Sequence, residues 1–220
     1  MSASPLETIE IESAPRPAAS IIWMHGLGAD GKDFVPLVDE IELPLAVRYI
    51  FPHAPMMPVS INGGYVMRAW YDISDAAIRR EDEAGVRASQ HSVEALLAQE
   101  KSRGIAAGRI VLAGFSQGGA IALQTGLRHG ERLGGLMALS TYVPLADTLA
   151  SEANPANREL PVFMAHGTAD PMIACDRARA SRDLLLQQGY AVEWHEYRMQ
   201  HSVCPEEIVA IGDWLRRVLA

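Results

Sequence analysis

Short apolar runs and helix-like stretches alternate along this chain from end to end, and that alternation restricts the folds open to it. Five runs rich in β-branched or long aliphatic residues each lead into a turn marked by Gly, Pro or Ser: Ser20–Met24, Val47–Phe51, Ile110–Ala113, Gly135–Leu139 and Val162–His166. A sixth, Ala191–Tyr197, alternates apolar and polar residues as a sheet edge does. Between them lie helical patterns over Asp33–Ile41, Glu81–Arg103, Gly118–His129, Asp176–Gln188 and Glu206–Leu219. Strands and helices in strict turn build βαβ units, so the pattern predicts an α/β fold with a mostly parallel central sheet and helices on both faces. Leu6–Glu12 alternates as well and is expected to add an antiparallel edge strand. Nothing resembling a repeat or a linker divides the 220 residues, which predicts a single domain over 1–220 with a full core.

One segment departs from the alternation. Pro52 to about Arg79 holds several prolines, the pair Gly63–Gly64 and a cluster of Met, Tyr and Trp. A non-periodic stretch of this length reads equally as a lid or binding loop and as a packed surface excursion.

Charge and cysteine content remove several function classes. The formal net charge of −8 and the lack of a basic stretch make nucleic acid an unfavourable partner. No apolar run reaches the length of a membrane span, so no stable membrane insertion is expected. The first dozen residues carry neither a basic cluster nor an apolar core of a leader, so no secretory signal is expected and the compartment is taken as cytoplasmic. Two cysteines, Cys175 and Cys204, are too few for a disulfide framework, although a bond between them stays open at this point.

The chemistry begins at G-F-S-Q-G, residues 114–118, where an apolar strand meets an Ala- and Leu-rich helix. This is the strand–turn–helix setting of a nucleophile elbow, with the Ser116 hydroxyl at the apex and a helix N-terminus behind it. A structural turn serine is the weaker alternative. A serine nucleophile needs a base, and the base needs a group that fixes its tautomer. In the order Ser, acid, His, the histidines downstream are His129, His166, His195 and His201. His201 follows the last strand and precedes the final helix, in the kind of loop where α/β sheets assemble their sites. His129 sits at a helix end, and His166 and His195 lie within strands. For the acid, A-H-G-T-A-D-P-M puts Asp170 on a tight loop just past a strand. Its alternative role is an Asx-turn cap, and Asp147 is the other candidate, farther into a loop without comparable turn residues.

After the first long strand comes W-M-H-G-L-G-A-D-G, in which Gly26, Gly28 and Gly31 match the dinucleotide-binding pattern G-x-G-x-x-G. That reading requires an acidic residue at the end of the next strand, where this chain has Pro52–His53. The same loop suits an oxyanion hole, with one N–H from this loop and one from Gln117, the residue after the nucleophile. His25 is expected to shape the loop.

With W-M-H-G-L-G-A-D-G, F-P-H-A-P, I-N-G-G-Y-V-M-R-A-W-Y-D-I, G-F-S-Q-G-G-A, S-T-Y-V-P, H-G-T-A-D-P-M and M-Q-H-S-V-C in that order, nearly the whole chain resembles the carboxylesterase and acyl-protein thioesterase (phospholipase/carboxylesterase) family of α/β-hydrolases. The resemblance implies a triad of Ser116, Asp170 and His201, an oxyanion hole from the backbone amides of Leu27 and Gln117, and no cap domain. It implies short- to medium-chain carboxylic esters as substrates, with acylated proteins or lysophospholipids as the alternative, and a homodimer as a common assembly. Gln200 departs from the small residue that members often carry before the histidine. Met67, Trp70, Tyr71, Tyr142, Met172 and Val203 are the candidates for the acyl pocket, with core packing an equal reading for each. No cofactor and no metal are expected, since no H-E-x-x-H or Cys/His cluster is present. A non-catalytic small-molecule receptor on the same fold is the remote alternative.

Overall fold

The computed structural model describes residues 6–74 and 81–220. Nine strands and six α-helices follow one another in chain order among these residues. They are β1 (Thr8–Glu12), β2 (Ala19–Met24), α1 (Leu37–Glu40), β3 (Val47–Pro52), β4 (Met56–Val59), β5 (Tyr65–Arg68), α2 (Glu83–Ser102), β6 (Ile110–Phe115), α3 (Gln117–Gly126), β7 (Gly135–Leu139), α4 (Leu149–Glu152), β8 (Val162–Gly167), α5 (Cys175–Gln187), β9 (Val192–Tyr197) and α6 (Pro205–Val218).

Seven strands form one sheet in the order β1-β3-β2-β6-β7-β8-β9. All neighbours are parallel except β1, which runs antiparallel to β3 with Thr8 opposite Pro52 and Glu12 opposite Arg48. The central strands β2, β7 and β8 are buried at every residue, whereas β1 and β9 at the edges are only partly covered. Burial on both faces explains why the inner strands read as unbroken apolar runs and only the edges alternate.

The two faces divide each strand by its pleat. Ile22 and Met24 of β2 point into a layer shared with α2, α3 and α5, through Val93, Leu97, Ile121 and Leu185. Ile21 and Trp23 point into the opposite layer, packed by Phe34 and Leu37 and by Ile211, Trp214 and Leu215 of α6. The architecture is that of an α/β-hydrolase, with no cap evident among the described residues.

The expected helix over Asp33–Ile41 shortens to the single turn of α1. Pro36 supplies no N–H and disfavours helical backbone at Val35, so the chain descends through turns closed by Asp33 N–H to Asp30 O and Val35 N–H to Lys32 O. The Pro52–Arg79 segment contains an element that periodicity did not reveal. β4 and β5 pair as an antiparallel hairpin, turned at Gly63 and Gly64, both with left-handed φ of 65° and 80°. Residues 75–79 of that segment lie outside the described residues.

Candidate active site

β6 ends in a sharp turn at Ser116. Ser116 has φ 53° and ψ −119°, a conformation that costs a non-glycine residue free energy and is held only where the surroundings enforce it. Its N–H donates to Leu139 O at 2.9 Å, and its carbonyl accepts from the Thr141 hydroxyl at 2.6 Å. The flanking glycines are a packing requirement. A Cβ on Gly114 would fall 2.3 Å from the Gly118 backbone, and one on Gly118 would fall 2.2 Å from Met24 O. Strand, turn and helix can therefore approach this closely only with hydrogen at both positions.

Asp170 sits past the end of β8, its side chain fully buried. Oδ1 accepts from the backbone amides of Met172 and Ile173 at 2.8 and 2.9 Å, and Oδ2 accepts from His201 Nδ1 at 2.6 Å. Burial pushes the carboxyl up, but the Ile173 amide, His201 and the Met172 amide together outweigh it and hold the group below its ordinary value. The Nδ1–H that this hydrogen bond assigns leaves Nε2 of His201 as the free lone pair. The two loops are joined by backbone bonds from Thr168 N–H to Tyr197 O and from Ala169 N–H to Met199 O. Gln200 is exposed, so its longer side chain is accommodated in solvent. The His201 ring packs on Phe115, the neighbour of Ser116, with centroids 4.7 Å apart. The Ser116 hydroxyl has no hydrogen-bond partner among the described residues.

His166 was not singled out as a site residue from sequence. It is fully buried beneath the Asp170 loop, where Nε2–H donates to Ile173 O at 2.9 Å and lies 3.3 Å from Asp170 Oδ2. The signal was present in the i, i+4 spacing within H-G-T-A-D, which lets a strand-end histidine span the loop that follows.

The Gly26–Gly31 loop faces the start of α3. Neither the Leu27 nor the Gln117 amide N–H meets an acceptor among the described residues, while one neighbour of each, Gly28 N–H and Ser116 N–H, is tied down. Gly28 N–H donates to Arg68 O at 2.9 Å. His25 accepts from Ala54 N–H at Nε2 and donates from Nδ1 to Gly26 O. Burial pulls its pKa down to about 4, so it is a neutral brace near pH 7. Trp70 and Tyr71, both 2% exposed, complete this support: Trp70 Nε1–H donates to His25 O, Trp70 N–H to Gln117 Oε1, and Gln117 Nε2–H to Tyr71 O. Two free donors flanked by fixed neighbours can take an oxyanion without reorganising.

A profile of the phospholipase/carboxylesterase family matches residues 6–219. The chain belongs to that family. It is 39% identical to acyl-protein thioesterase 1 of Gibberella zeae over 231 aligned positions, covering 100% of this chain and 98% of the relative. It is also 39% identical to acyl-protein thioesterase 1 of Yarrowia lipolytica, covering 96% of each. Among solved structures, Zea mays acyl-protein thioesterase 2 superposes with a TM-score of 0.85 at 30% identity, over 97% of this chain and 99% of that one. Membership of the phospholipase/carboxylesterase family makes the chain a serine hydrolase.

The remaining pocket candidates divide by exposure in this family member. Tyr142 is buried, its hydroxyl 2.9 Å from that of Tyr71 and its ring 3.4 Å beneath the Arg177 guanidinium. Met67 is half-buried against the Gly28 turn, and Met172 is 73% exposed beside Asp170. Val203 lines a cavity of about 330 Å³ that touches His201. A larger cavity, about 1110 Å³ beside Tyr142 and Arg177, is lined by none of Ser116, Asp170 or His201, so proximity to these groups weighs more here than size. Cys175 and Cys204 are free thiols, and no helix among the described residues is long and apolar enough to cross a membrane.

Proposed function

We propose that this protein hydrolyses acyl thioesters of the acyl-protein type, with carboxylic esters as the second substrate class, through Ser116, His201 and Asp170. His201 Nε2 takes the hydroxyl proton as Ser116 Oγ attacks the acyl carbonyl, and the Leu27 and Gln117 amides donate to the oxyanion. Asp170 stabilises the imidazolium through the Nδ1–H bond. The thiol or alcohol leaves with the proton from Nε2, and the acyl group stays on Ser116. Water then loses a proton to His201 as it attacks the acyl-enzyme, and the imidazolium returns that proton to Ser116 Oγ as the acid departs.

The observation that carries this reading is the 2.6 Å bond between His201 Nδ1 and a buried Asp170, with the same ring packed against the neighbour of Ser116. The family resemblance read from the sequence put carboxylic esters first. The names of full-length relatives such as that of Gibberella zeae move the weight to thioesters. Lysophospholipids remain the weaker member of this substrate set. Comparing kcat/KM for an octanoyl thioester and its matched oxygen ester tests the order. A thioester preference beyond their difference in uncatalysed hydrolysis supports it, and equal or reversed ratios restore the carboxylesterase reading.

A further inference from the structure

The cavity of about 330 Å³ beside His201 lies between the α1 segment, the end of β6 and the loop entering α6. Phe34, Leu37, Phe115, Val203 and Ile208 make its walls apolar, and His201 contributes part of its lining. Those walls are backed by a row of rings: Trp23 lies 5.2 Å from Phe34, Phe34 lies 5.8 Å from Phe115, and Phe115 lies 4.7 Å from His201. Rings packed in series from the core do not readily collapse into the space. An apolar cavity of about 150 Å³ already holds a benzene ring.

A general acid must lie within hydrogen-bond reach of the atom it protonates. The group attached to that atom therefore lies against His201, whose other nitrogen is occupied by Asp170. We propose that this cavity is the leaving-group subsite, receiving the apolar part of a neutral alcohol or thiol and rejecting one that carries a phosphate. The proposal rests on the serine-hydrolase reading above. Among the described residues, Asp33 is the only carboxylate lining the cavity. Burial, with Asp30 nearby, pushes the Asp33 carboxyl up. Asp33 as a whole is nonetheless exposed, and a phosphate brought beside it would meet its negative charge as repulsion.

The test holds the acyl group constant and varies the alcohol, using methyl butyrate, benzyl butyrate and a butyryl ester of a glycerophosphocholine headgroup. The expected kcat/KM for the benzyl ester exceeds that for the methyl ester by about tenfold or more, and the phosphate-bearing ester does no better than the methyl ester. Ile208→Trp fills the cavity and brings the benzyl-to-methyl ratio towards one, while the octanoate-to-butyrate ratio measured on methyl esters holds. Val203→Phe, from the loop entering α6, makes the same test should Ile208→Trp fail to fold. A native benzyl-to-methyl ratio near one overturns the proposal, as does a phosphate-bearing ester that outperforms both. Variants that change the acyl ratio instead of the alcohol ratio also overturn it, and make the cavity an acyl pocket. Hydrolysis without alcohol preference removes only this subsite, whereas no hydrolysis of any ester or thioester removes the serine-hydrolase reading with it.

Discussion

Asp170 is a carboxylate withdrawn from water and repaid by three donors, two of them backbone amides of its own loop. That division of labour predicts what its variants do. Asp170→Asn keeps the shape but can present its NH₂ to His201, which favours the wrong tautomer. Its kcat should fall by about 10⁴ with little change in KM, read by steady-state kinetics. His166 acts one step back, by closing the loop and flanking Oδ2. His166→Phe should cost about 10²-fold in kcat through misalignment, and His166→Gln, which keeps an N–H, should recover part of it. A low-field proton resonance from the Asp170–His201 bond should weaken in the Phe variant alone, whereas a role in packing alone would move stability and leave the resonance. At this scale the turns that carry Ser116, Asp170 and His201 were legible in sequence because each has its own residue signature. His166 was not, because a buried strand-end histidine reads as core until its hydrogen-bond partners are known.

The elements brace the start of the Gly26–Gly31 loop through Trp70, which donates to His25 O, and Gln117, whose side chain pairs with the Trp70 N–H and the Tyr71 carbonyl. Gln117→Leu leaves both backbone groups buried and unpaired, at about 1–3 kcal/mol each. The expected result is a lower midpoint in urea and a lower kcat, although the Gln117 backbone amide itself is retained. A variant as stable and active as the native protein would remove the segment after β3 from any supporting role. That segment was only half legible. Its prolines and glycines announced that regular alternation had stopped, and Gly63–Gly64 was a usable turn signal for β4 and β5. The short strands themselves, with Met56, Tyr65 and Val66 exposed, carry no apolar alternation to betray them. The helix expected over Asp33–Ile41 failed for the opposite reason: apolar spacing was right for burying Phe34 and Leu37, but Pro36 overruled the hydrogen bonding.

Over the whole molecule, the parallel sheet and its two apolar layers followed from run length and burial, and the antiparallel β1 from its alternation. Glu207 is the global feature that no pattern reported. Its carboxyl, in the first turn of α6, is fully buried, neither oxygen makes a full hydrogen bond among the described residues, and burial outweighs the nearby Cys204 amide to push its pKa up to about 8. The folded state therefore holds a proton that the unfolded chain releases near pH 4.5, so this group's contribution is fully present below that value and is lost as pH rises through about 8. Glu207→Gln should raise Tm relative to native above pH 8, with the gain shrinking towards pH 4.5. An equal difference across that range would show that Glu207 ionises freely in the fold. The account as a whole turns on Ser116 as the nucleophile of a fold-wide assembly, and single-substrate turnover tests it most directly. With an octanoyl thioester, Ser116→Ala is predicted to lose on the order of 10⁶-fold in kcat while keeping the native Tm. A correctly folded Ser116→Ala protein that turns the thioester over at the native rate would contradict it.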